Sequence, residues 1–550
     1  PTNINAGTLV LTGSIAAGST TTVSSGATLQ GTGTTGPLTV NAGATLEPGV
    51  GSSTPGSIGV LTVVGNLFLG GTLRAEVATA ASGPGSGYDQ VKVIGGGSVT
   101  IASSAVLTNP VPFNGTPGSF TPATLQTLKL IDNDGAGPGD TSGSFGGMPI
   151  GSTLTVDGRT FKLYYGGGDG NDLVLVNTAG TPATLYVNDQ FTSTAMVDGD
   201  LEASNLQESY VGINAFASIA AALSQFANFG GTIVVNGGAY DPVALAGGGS
   251  VTLELVRDLV NGQNDATLRN ISGDASDSIV TRARATSGGN LVLESGTFSG
   301  VISGDGSVTK NGTGTLSLLG SNTFTGTTTL TAGALSLDGA LIDGSSATDL
   351  TVGASSTLAG TGDVNGAVTV SAGGRIEPGA PNLAGVLELG DGTTAVTFFA
   401  SSTYAVQLGG TTPGDGLAFH DQITAKGVVN LGGATLSVAL INGLVLDSQF
   451  SQSFLIIDND GVEPVVGTFA GRPEGSRFSV PGTTTQLYVT YRGGDGNDVV
   501  LATNPVITGS DGVNDSIVVR LTANHLNVEA SVNGAAFVDY GAIADMTLIS

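Results

Sequence analysis

The chain has 550 residues, of which 90 are glycine and 40% are hydrophobic, so it can bury a core and is not a disordered polymer. Because cysteine is absent, disulfide scaffolds, thiolate metal sites and cysteine nucleophiles are excluded. The net charge of −27 argues against nucleic acid as a partner, and no apolar run is long enough for a transmembrane segment.

Two copies of one pattern follow each other along the chain. L-I-D-N-D-G at Leu130 returns as I-I-D-N-D-G at Ile456, and G-G-D-G-N-D-L-V-L at Gly167 returns as G-G-D-G-N-D-V-V-L at Gly493. Internal repeats of this length are typical of solenoids and tandem arrays. We therefore predict three parts. They are the C-terminal part of a first module with a truncated start (1–178), a complete second module (179–503) and the start of a further β-rich module (504–550).

Short segments within each copy alternate apolar and small polar residues, as in Ala334–Leu337, Ala367–Val370 and Thr435–Val438. This period of two predicts half-buried strands, and the Asn-Gly and Asp-Gly pairs between them predict turns. Many short strands with glycine turns favour an all-β solenoid whose coils stack in parallel sheets. A two-sheet sandwich is the alternative, and the absence of tryptophan, with only 5% aromatic residues, argues against it.

One segment has helical spacing instead, at about 214–229. Its apolar residues are Phe216, Ile219, Leu223 and Phe226. This spacing predicts an amphipathic helix with Asn214 or Ser218 as its N-cap. Because stacked strands leave unpaired backbone groups at the end of a solenoid, we predict that this short helix caps the start of the second module.

The residues from Ser307 to Leu337 read S-V-T-K-N-G-T-G-T-L-S-L-L-G-S-N-T-F-T-G-T-T-T-L-T-A-G-A-L-S-L. This segment resembles the autotransporter-associated β-strand repeat of secreted bacterial passenger domains. The segment from Ala215 to Tyr240 resembles the start of pectate-lyase-like right-handed β-helices. The resemblance implies right-handed parallel β-helix (solenoid) modules in tandem, located extracellularly at the bacterial cell surface.

The G-G-D-G-N-D motif is the candidate metal site, because it fits the nonapeptide of calcium-binding β-rolls. Asp169 and Asp172 in the first copy, and Asp495 and Asp498 in the second, are the candidate Ca²⁺ ligands, since carboxylates and turn carbonyls are hard oxygen ligands. Each motif stands alone, so a glycine-rich turn capped by Asn and Asp is the alternative. The D-N-D-G segments lack the glutamate of an EF-hand loop and predict Asx turns.

No catalytic constellation is recognisable in the sequence, and we predict that the chain is not an enzyme. The two histidines, His420 and His525, lie in no motif that supports a triad or a zinc site. Arg282 and Arg284 alternate on one predicted strand, where they would bind an anionic sugar or lie exposed as an ordinary pair.

The sequence therefore predicts a structural or adhesive extracellular fibre protein that self-associates end to end or laterally, with surface polysaccharide as a further candidate partner. A carbohydrate-binding or polysaccharide-cleaving β-helix is one alternative. A calcium-stabilised matrix protein is the other, and Ca²⁺ is the sole candidate cofactor.

Overall fold

A computed structural model shows that the chain folds almost entirely as β-strands. It describes residues 1–50, 58–78, 83–108, 111–112, 120–123, 125–134, 141–167, 171–179, 184–188, 196–198, 208–210, 213–224, 231–236, 238–240, 243–245, 251–256, 266–269, 271–273, 275, 277–281, 290–342, 349–390, 392, 396–447, 451–460, 463–504, 517–521, 527–532 and 538–542. Two compact units are present. The first contains Pro1–Tyr186 and Gln190–Ala217, and the second contains Val187–Asp189 and Ser218–Ser550.

Three sheets make up the first unit, and successive strands of the chain pass from one sheet to the next. The first sheet contains β1 (Thr2–Ile4), β3 (Thr21–Val23), β6 (Leu38–Val40), β9 (Leu67–Leu69), β13 (Val99–Ile101) and β17 (Thr141–Gly143). The second contains β2 (Gly7–Leu11), β4 (Ala27–Gly31), β7 (Thr45–Pro48), β10 (Thr72–Leu73) and β14 (Val106–Leu107). The third contains β5 (Thr34–Thr35), β8 (Val60–Val64), β12 (Gln90–Ile94), β16 (Thr127–Asn133), β18 (Thr153–Val156), β19 (Arg159–Gly167) and β20 (Asp172–Asn177).

The second unit repeats this arrangement with three sheets of nine strands. The first contains β26 (Gly238–Tyr240), β29 (Ala266–Leu268), β32 (Leu291–Leu293), β35 (Val308–Lys310), β38 (Thr328–Leu330), β41 (Leu350–Val352), β44 (Val368–Val370), β47 (Val396–Phe398) and β50 (Val429–Asn430). The second contains β27 (Val243–Ala244), β30 (Ile271–Gly273), β33 (Gly296–Phe298), β36 (Thr315–Leu318), β39 (Gly333–Leu337), β42 (Ser356–Gly360), β45 (Arg375–Pro378), β48 (Thr403–Leu408) and β51 (Thr435–Leu440). The third contains β37 (Ser321–Asn322), β40 (Ala340–Leu341), β43 (Asp363–Val364), β46 (Val386–Leu389), β49 (Gln422–Ala425), β52 (Ser453–Asn459), β53 (Arg477–Ser479), β54 (Gln486–Gly493) and β55 (Asp498–Ala502).

The other strands are short or lie outside these stacks. The second unit also has a parallel set made of β25 (Gly231–Asn236), β28 (Val251–Val256), β31 (Ser278–Thr281) and β34 (Val301–Gly304). Two small pairs are β11 (Glu76–Val77) with β15 (Val111–Pro112) and β22 (Met196–Asp198) with β23 (Glu208–Tyr210). The remaining strands are β21 (Thr184–Val187), β24 (Ala215–Phe216), and the antiparallel β56 (Ile517–Leu521), β57 (Asn527–Val532) and β58 (Val538–Ala542).

Each coil contributes the same side-chain rows to the core. Leu316, Leu335, Leu358, Ile376 and Tyr404 are successive register partners in the second sheet of the second unit, and all are buried. Burial of such rows removes apolar surface from water, while Ser317, Ser336 and Glu377, which follow three of these residues, are polar and only partly buried. The parallel pairing confirms the predicted β-helix and excludes the two-sheet sandwich.

Buried polar side chains also join neighbouring coils. Asn322 accepts the backbone N–H of Ile302 at 3.0 Å and donates to the carbonyls of Gly320 and Ala340 at 3.0 and 3.1 Å. Lys310, likewise buried, donates through Nζ to two turn carbonyls at 2.7 and 3.0 Å. These bonds satisfy backbone groups that the turns leave outside the sheet ladders.

The predicted cap helix is present but shorter than expected. It spans Ile219–Leu223, and Ser218 is its N-cap, because the Ser218 hydroxyl accepts the backbone N–H of Ala221. The segment Ala215–Phe216 is a strand instead of the first helical turn, and 225–229 lies outside the described residues. The helix packs against β25 and β27. Over the described parts of the chain, no helix is long and apolar enough to cross a membrane.

Candidate functional site

Each unit ends its third sheet with three antiparallel strands, which we call the hairpin cap. The first hairpin cap consists of β18, β19 and β20, and the second of β53, β54 and β55. In both units the cap pairs with the last parallel strand, and the register shifts at the same point, after Lys129 or after Leu455. The two caps therefore share one backbone arrangement, and their side chains can be compared position by position.

The hairpin cap brings together two motifs that lie far apart in the sequence. G-G-D-G-N-D forms the turn of the hairpin, where Gly493 pairs with Asp498, and D-N-D-G ends the neighbouring strand. The Asp498 Oδ1 atom accepts the backbone N–H of Asn459 at 2.8 Å, and Asp172 Oδ1 accepts that of Asn133 at 2.7 Å. Both carboxyl groups are buried, and burial raises the pKa of each to about 6.

Two lysines neutralise the carboxylates of the first hairpin cap. Lys129 Nζ lies 2.5 Å from Asp172 Oδ2 and 3.1 Å from Asp132 Oδ1. Lys92 Nζ lies 3.6 Å from Asp132 and 3.1 Å from Asp134. Burial disfavours the charged form of Lys129, but the two carboxylates outweigh burial and raise its pKa. The described part of the first hairpin cap thus contains a network of alternating positive and negative charges.

The second hairpin cap has neither lysine. Leu455 takes the place of Lys129, since the backbone carbonyl of each accepts a side-chain N–H from an equivalent glutamine at 3.0 Å. Thr424 takes the place of Lys92, since each is the register partner of the first aspartate in D-N-D-G. The second hairpin cap therefore carries the acidic groups without these two lysines, and it has Arg492 where the first cap has Gly166.

Like charges consequently face one another in the second hairpin cap. The pKa of Asp458 is raised by burial and by the neighbouring carboxylates of Asp495 and Asp460. For Asp498, Asp458 and Asp495 add to the rise in pKa that burial causes, while backbone N–H groups oppose it. Neighbouring negative charges repel each other, and this repulsion favours the binding of a cation.

A buried amide lies next to these carboxylates. Asn459 is 1% exposed, and its Nδ2 donates to the carbonyl of Glu463 at 2.7 Å. Its Oδ1 is buried and accepts no hydrogen bond, and the same is true of Oδ1 of the equivalent Asn133 in the first hairpin cap. The sequence motifs identified the aspartates. They did not identify this amide oxygen, or the absence of the two lysines from the second hairpin cap. Alignment of the two D-N-D-G segments, which places Lys129 opposite Leu455, is the signal that reveals the difference.

The structure places the four predicted Ca²⁺ ligands in different settings. Asp169 lies outside the described residues, Asp172 is paired with a lysine, Asp495 is exposed at the turn and Asp498 is buried. In the ranges that the structure describes, no three His, Asp or Glu side chains are grouped so as to hold a metal ion. Calcium binding at these residues stays a prediction.

The histidine that the structure describes has a packing role. His420 is fully buried, and its Nδ1 and Nε2 atoms lie 3.1 Å from the carbonyls of Gly410 and Leu455. Burial lowers its pKa, and the two carbonyls oppose that change. Because both ring nitrogens of His420 face backbone carbonyls, neither nitrogen is available to exchange a proton with a substrate. His525, Arg282 and Arg284 lie outside the described residues.

An open groove of about 430 Å³ lies along the third sheet of the second unit. Four carboxylates line it: Asp338, Asp363, Glu388 and Asp415. Asp363 and Glu388 are register partners, and Lys426 forms an ion pair with Glu388. After the same G-T-G sequence in the first unit, the corresponding register partners are Thr34 and Thr62. The first unit therefore forms the same strand pairing with threonines in place of these two carboxylates.

Comparison with known proteins identifies the repeat. Residues 308–337, which run from β35 to β39, match the passenger-associated-transport-repeat family. The chain is 52% identical over 89 residues to the Adhesin BmaC autotransporter of Brucella suis biovar 1 (strain 1330), across 16% of the chain and 2% of that protein. It is 32% identical over 220 residues to an Extracellular serine protease of Serratia marcescens, across 40% of the chain and 18% of that protein. The chain thus spans a small part of either relative.

Proposed function

We propose that this chain, which carries the passenger-type repeat of autotransporters, is part of a secreted bacterial surface protein and has a structural and adhesive role there. The observation that carries the proposal is the stack of parallel coils in which this repeat is embedded. Nine strands about 4.8 Å apart extend a sheet over roughly 40 Å, so the architecture builds length one coil at a time. The relative named as an adhesin supports the adhesive part.

In this proposal the chain consists of tandem modules at 1–178, 179–503 and 504–550, and they belong to an extracellular fibre. The repeated hairpin cap supports the first two modules, because each copy ends with the same antiparallel strands. The modules self-associate end to end or laterally, and polysaccharide on a cell surface is a candidate ligand. The high negative charge makes lateral contact dependent on salt or on cations.

We place the adhesive contact at the acidic groove of the second unit. Like charges directly opposite each other destabilise a sheet, and Asp363 and Glu388 are register partners. Because threonines replace them in the first unit, the coil itself does not require the two carboxylates. Lys426 offsets part of this repulsion through its ion pair with Glu388, and a partner with amino or other cationic groups would offset the rest.

The proposed role is not enzymatic. His420 is held by two backbone carbonyls, which leaves it no part in proton transfer to a substrate. The similarity to a protein named as a serine protease covers 18% of that protein, so its activity does not transfer to this chain.

A display experiment tests this function. The full chain is anchored on a non-adherent bacterium, and attachment to cultured cells, attachment to glass and clumping of the bacteria are measured. We expect attachment or clumping above that of the bare strain, and a several-fold loss in a double variant, Asp363→Asn with Glu388→Gln. The matched control, Thr34→Asn with Thr62→Gln, should keep full binding. Absence of all three activities, or cleavage of casein, pectin or alginate by the purified chain, would contradict the proposal.

A further inference from the structure

Three large apolar side chains lie exposed near one another on the second unit. Leu383, Leu417 and Phe419 are 42%, 52% and 37% exposed. Ala384 and Gly416 exchange two backbone hydrogen bonds, at 3.1 and 2.9 Å, so Leu383 and Leu417, which adjoin them, lie on facing segments. We call these three residues the apolar rim. Clustered exposed apolar side chains are typical of interaction surfaces, whereas single ones are common on any protein.

The apolar rim lies at the edge of the acidic groove. The ring of Phe419 packs against Gly414, where an added Cβ atom would lie 2.7 Å from the ring. Gly414 and its neighbour Asp415 both line the groove. The carbonyl of Phe419 accepts the backbone N–H of Gly409 at 2.8 Å, which holds the segment in place. An apolar group that is already positioned loses little conformational entropy when a partner binds.

The equivalent loop of the first unit closes without this segment. In both units the loop contains a proline and closes with one isolated bridge, which joins Pro84 to Tyr88 and Pro413 to His420. Three residues separate the first pair and six separate the second, and the additional residues are L-A-F at 417–419. The fold of the loop therefore does not require the two exposed apolar side chains.

The other residues of this surface also differ between the two units. The N–H groups of Gly385 and Gly59 bond to equivalent buried aspartates, and the residue two positions earlier is Leu383 in the second unit and Ser57 in the first. Threonines stand in place of two groove carboxylates in the first unit. The second unit thus carries apolar and acidic side chains side by side, at positions where the first unit has neither.

From this arrangement we propose that the apolar rim and the acidic groove together bind a polypeptide segment in which lysine or arginine alternates with apolar residues. Four carboxylates line the groove, and one of them, Glu388, is already paired with Lys426. The cationic side chains of the partner occupy the groove, and its apolar side chains pack against the rim. A cation over the face of the Phe419 ring adds a further attraction.

Two other kinds of partner fit this surface less well. A polysaccharide presents hydroxyl groups and lacks the aliphatic side chains that would pack against Leu383 and Leu417. A second copy of this chain brings a further net charge of −27 to an acidic surface, which opposes association. A cationic, apolar polypeptide satisfies both the charge and the apolar surface.

This inference rests on the proposed adhesive role and names the class of partner for the same groove. The two can fail separately, because binding of a peptide to the purified chain is measured without any cell. Absence of peptide binding by a chain that still attaches bacteria to cells would overturn the polypeptide partner and leave the adhesive role standing.

The test measures the binding of a fluorescent peptide to the purified full chain by fluorescence anisotropy. The peptide has three repeats of lysine-leucine-lysine-phenylalanine. A second peptide, with serine in place of leucine and phenylalanine, has the same charge and should bind more weakly by about tenfold or more. A chitosan hexamer, which is cationic but has no apolar side chains, should be equally weak. A peptide with glutamate in place of lysine should not bind.

Variants that leave the net charge unchanged locate the site. Leu417→Ser with Phe419→Ser should weaken binding of the first peptide by about tenfold or more. The matched control is Phe68→Ser with Val106→Ser in the first unit, whose side chains are 40% and 51% exposed, and it should bind like the wild type. Leu383→Ser alone leaves the Phe419 ring in its place and should weaken binding several-fold.

Variants of the groove test the charge. Asp363→Asn with Glu388→Gln should weaken binding and reduce its dependence on salt, because fewer charges attract the peptide. Thr34→Asn with Thr62→Gln should change neither quantity. The proposal is overturned if the serine peptide or chitosan binds as tightly as the first peptide, or if the apolar-rim variants bind it like the wild type. An equal loss of binding in the matched first-unit control would overturn it as well.

Discussion

The carboxylate of Asp421 accepts the backbone N–H of Gln407 at 2.8 Å, and its other oxygen accepts that of Gly385 at 2.9 Å. In the first unit, Asp89 makes the same two kinds of bond, each 2.8 Å long. Both carboxyl groups are fully buried. One side chain therefore joins two backbone segments, next to the backbone bonds from Asp421 N–H to Gln407 and from Gln422 N–H to Gly385.

The ionisation of Asp421 should make stability depend on pH. Burial raises the pKa of Asp421 to about 8, although the N–H groups of Gln407 and Gly385 oppose the rise. Since this value lies above the ordinary aspartate pKa of about 4, the folded protein holds the proton more tightly. The stability due to this group therefore falls as the pH rises from about 4 to about 8.

Urea unfolding from pH 4 to 8 measures this dependence. The wild type should lose more stability over that range than Asp421→Asn, which cannot titrate. Asp349→Asn, at an exposed carboxylate, should follow the wild-type curve. Parallel curves for the wild type and Asp421→Asn would show that the carboxyl group does not change its charge within this range.

Asn322 should be among the most sensitive positions of the passenger-type repeat. Its replacement by alanine removes the acceptor of the Ile302 N–H and a donor to the carbonyls of Gly320 and Ala340, although the Gly320 carbonyl still accepts the N–H of Ala340. Unpaired buried groups of this kind give an expected loss of about 2–4 kcal/mol in the free energy of unfolding. The neighbouring Asn311→Ala, at an exposed turn, should cost no more than about 0.5 kcal/mol. Equal losses of unfolding free energy for the two variants in chemical denaturation would show that the hydrogen bonds of the Asn322 side chain do not stabilise the repeat.

Gly360 lies where the backbone passes close to the preceding coil. Its φ is +102°, and a Cβ atom there would overlap the carbonyl oxygen of Leu337. Gly31 repeats this geometry against Leu11, with a φ of +127°. Alanine at either glycine should cost more than about 3 kcal/mol or prevent folding. Gly13→Ala, where open space surrounds the Cβ position, should fold normally by circular dichroism. Stable Gly31→Ala and Gly360→Ala variants would show that the coils can separate locally.

A tyrosine fixes the loop of each hairpin cap. The Tyr491 hydroxyl accepts the N–H of Phe469 at 3.0 Å and donates to the carbonyl of Arg472 at 2.6 Å. Tyr165 makes the equivalent pair of bonds in the first cap, at 3.0 and 2.7 Å. Phenylalanine at either position should cost about 1–3 kcal/mol, because both backbone groups lose a partner. Thermal unfolding of the two single variants and of the double variant measures this loss. Unchanged melting temperatures would show that the hydrogen bonds of the two tyrosine hydroxyls do not stabilise the caps.

Much of the fold can be predicted from the sequence, because the residues within each coil determine its strands and turns. The alternation in Ala334–Leu337 puts Leu335 and Leu337 into the core, and the structure confirms both as buried. The helix was overestimated because Phe216 fits the helical spacing but lies in a strand. Apolar spacing alone does not show where Ser218 adopts the extended backbone of an N-cap.

The candidate site could be predicted only in part. The glycine-rich motif identifies Asp498, but its partner Asn459 lies 39 residues earlier in the chain, and that contact exists only after the strands pair. The role of position 455 depends on the same pairing. A local motif can therefore identify a candidate ligand without showing which charged groups lie next to it.

The reversal of strand direction at each hairpin cap has a mechanical consequence. Parallel pairing does not pass beyond the cap, so coils that peel away under tension stop separating there. In the surface role that we propose, a pulling force along the chain would be absorbed in discrete events, one for each stack. Each event would lengthen the chain and dissipate work while the other stack stays folded.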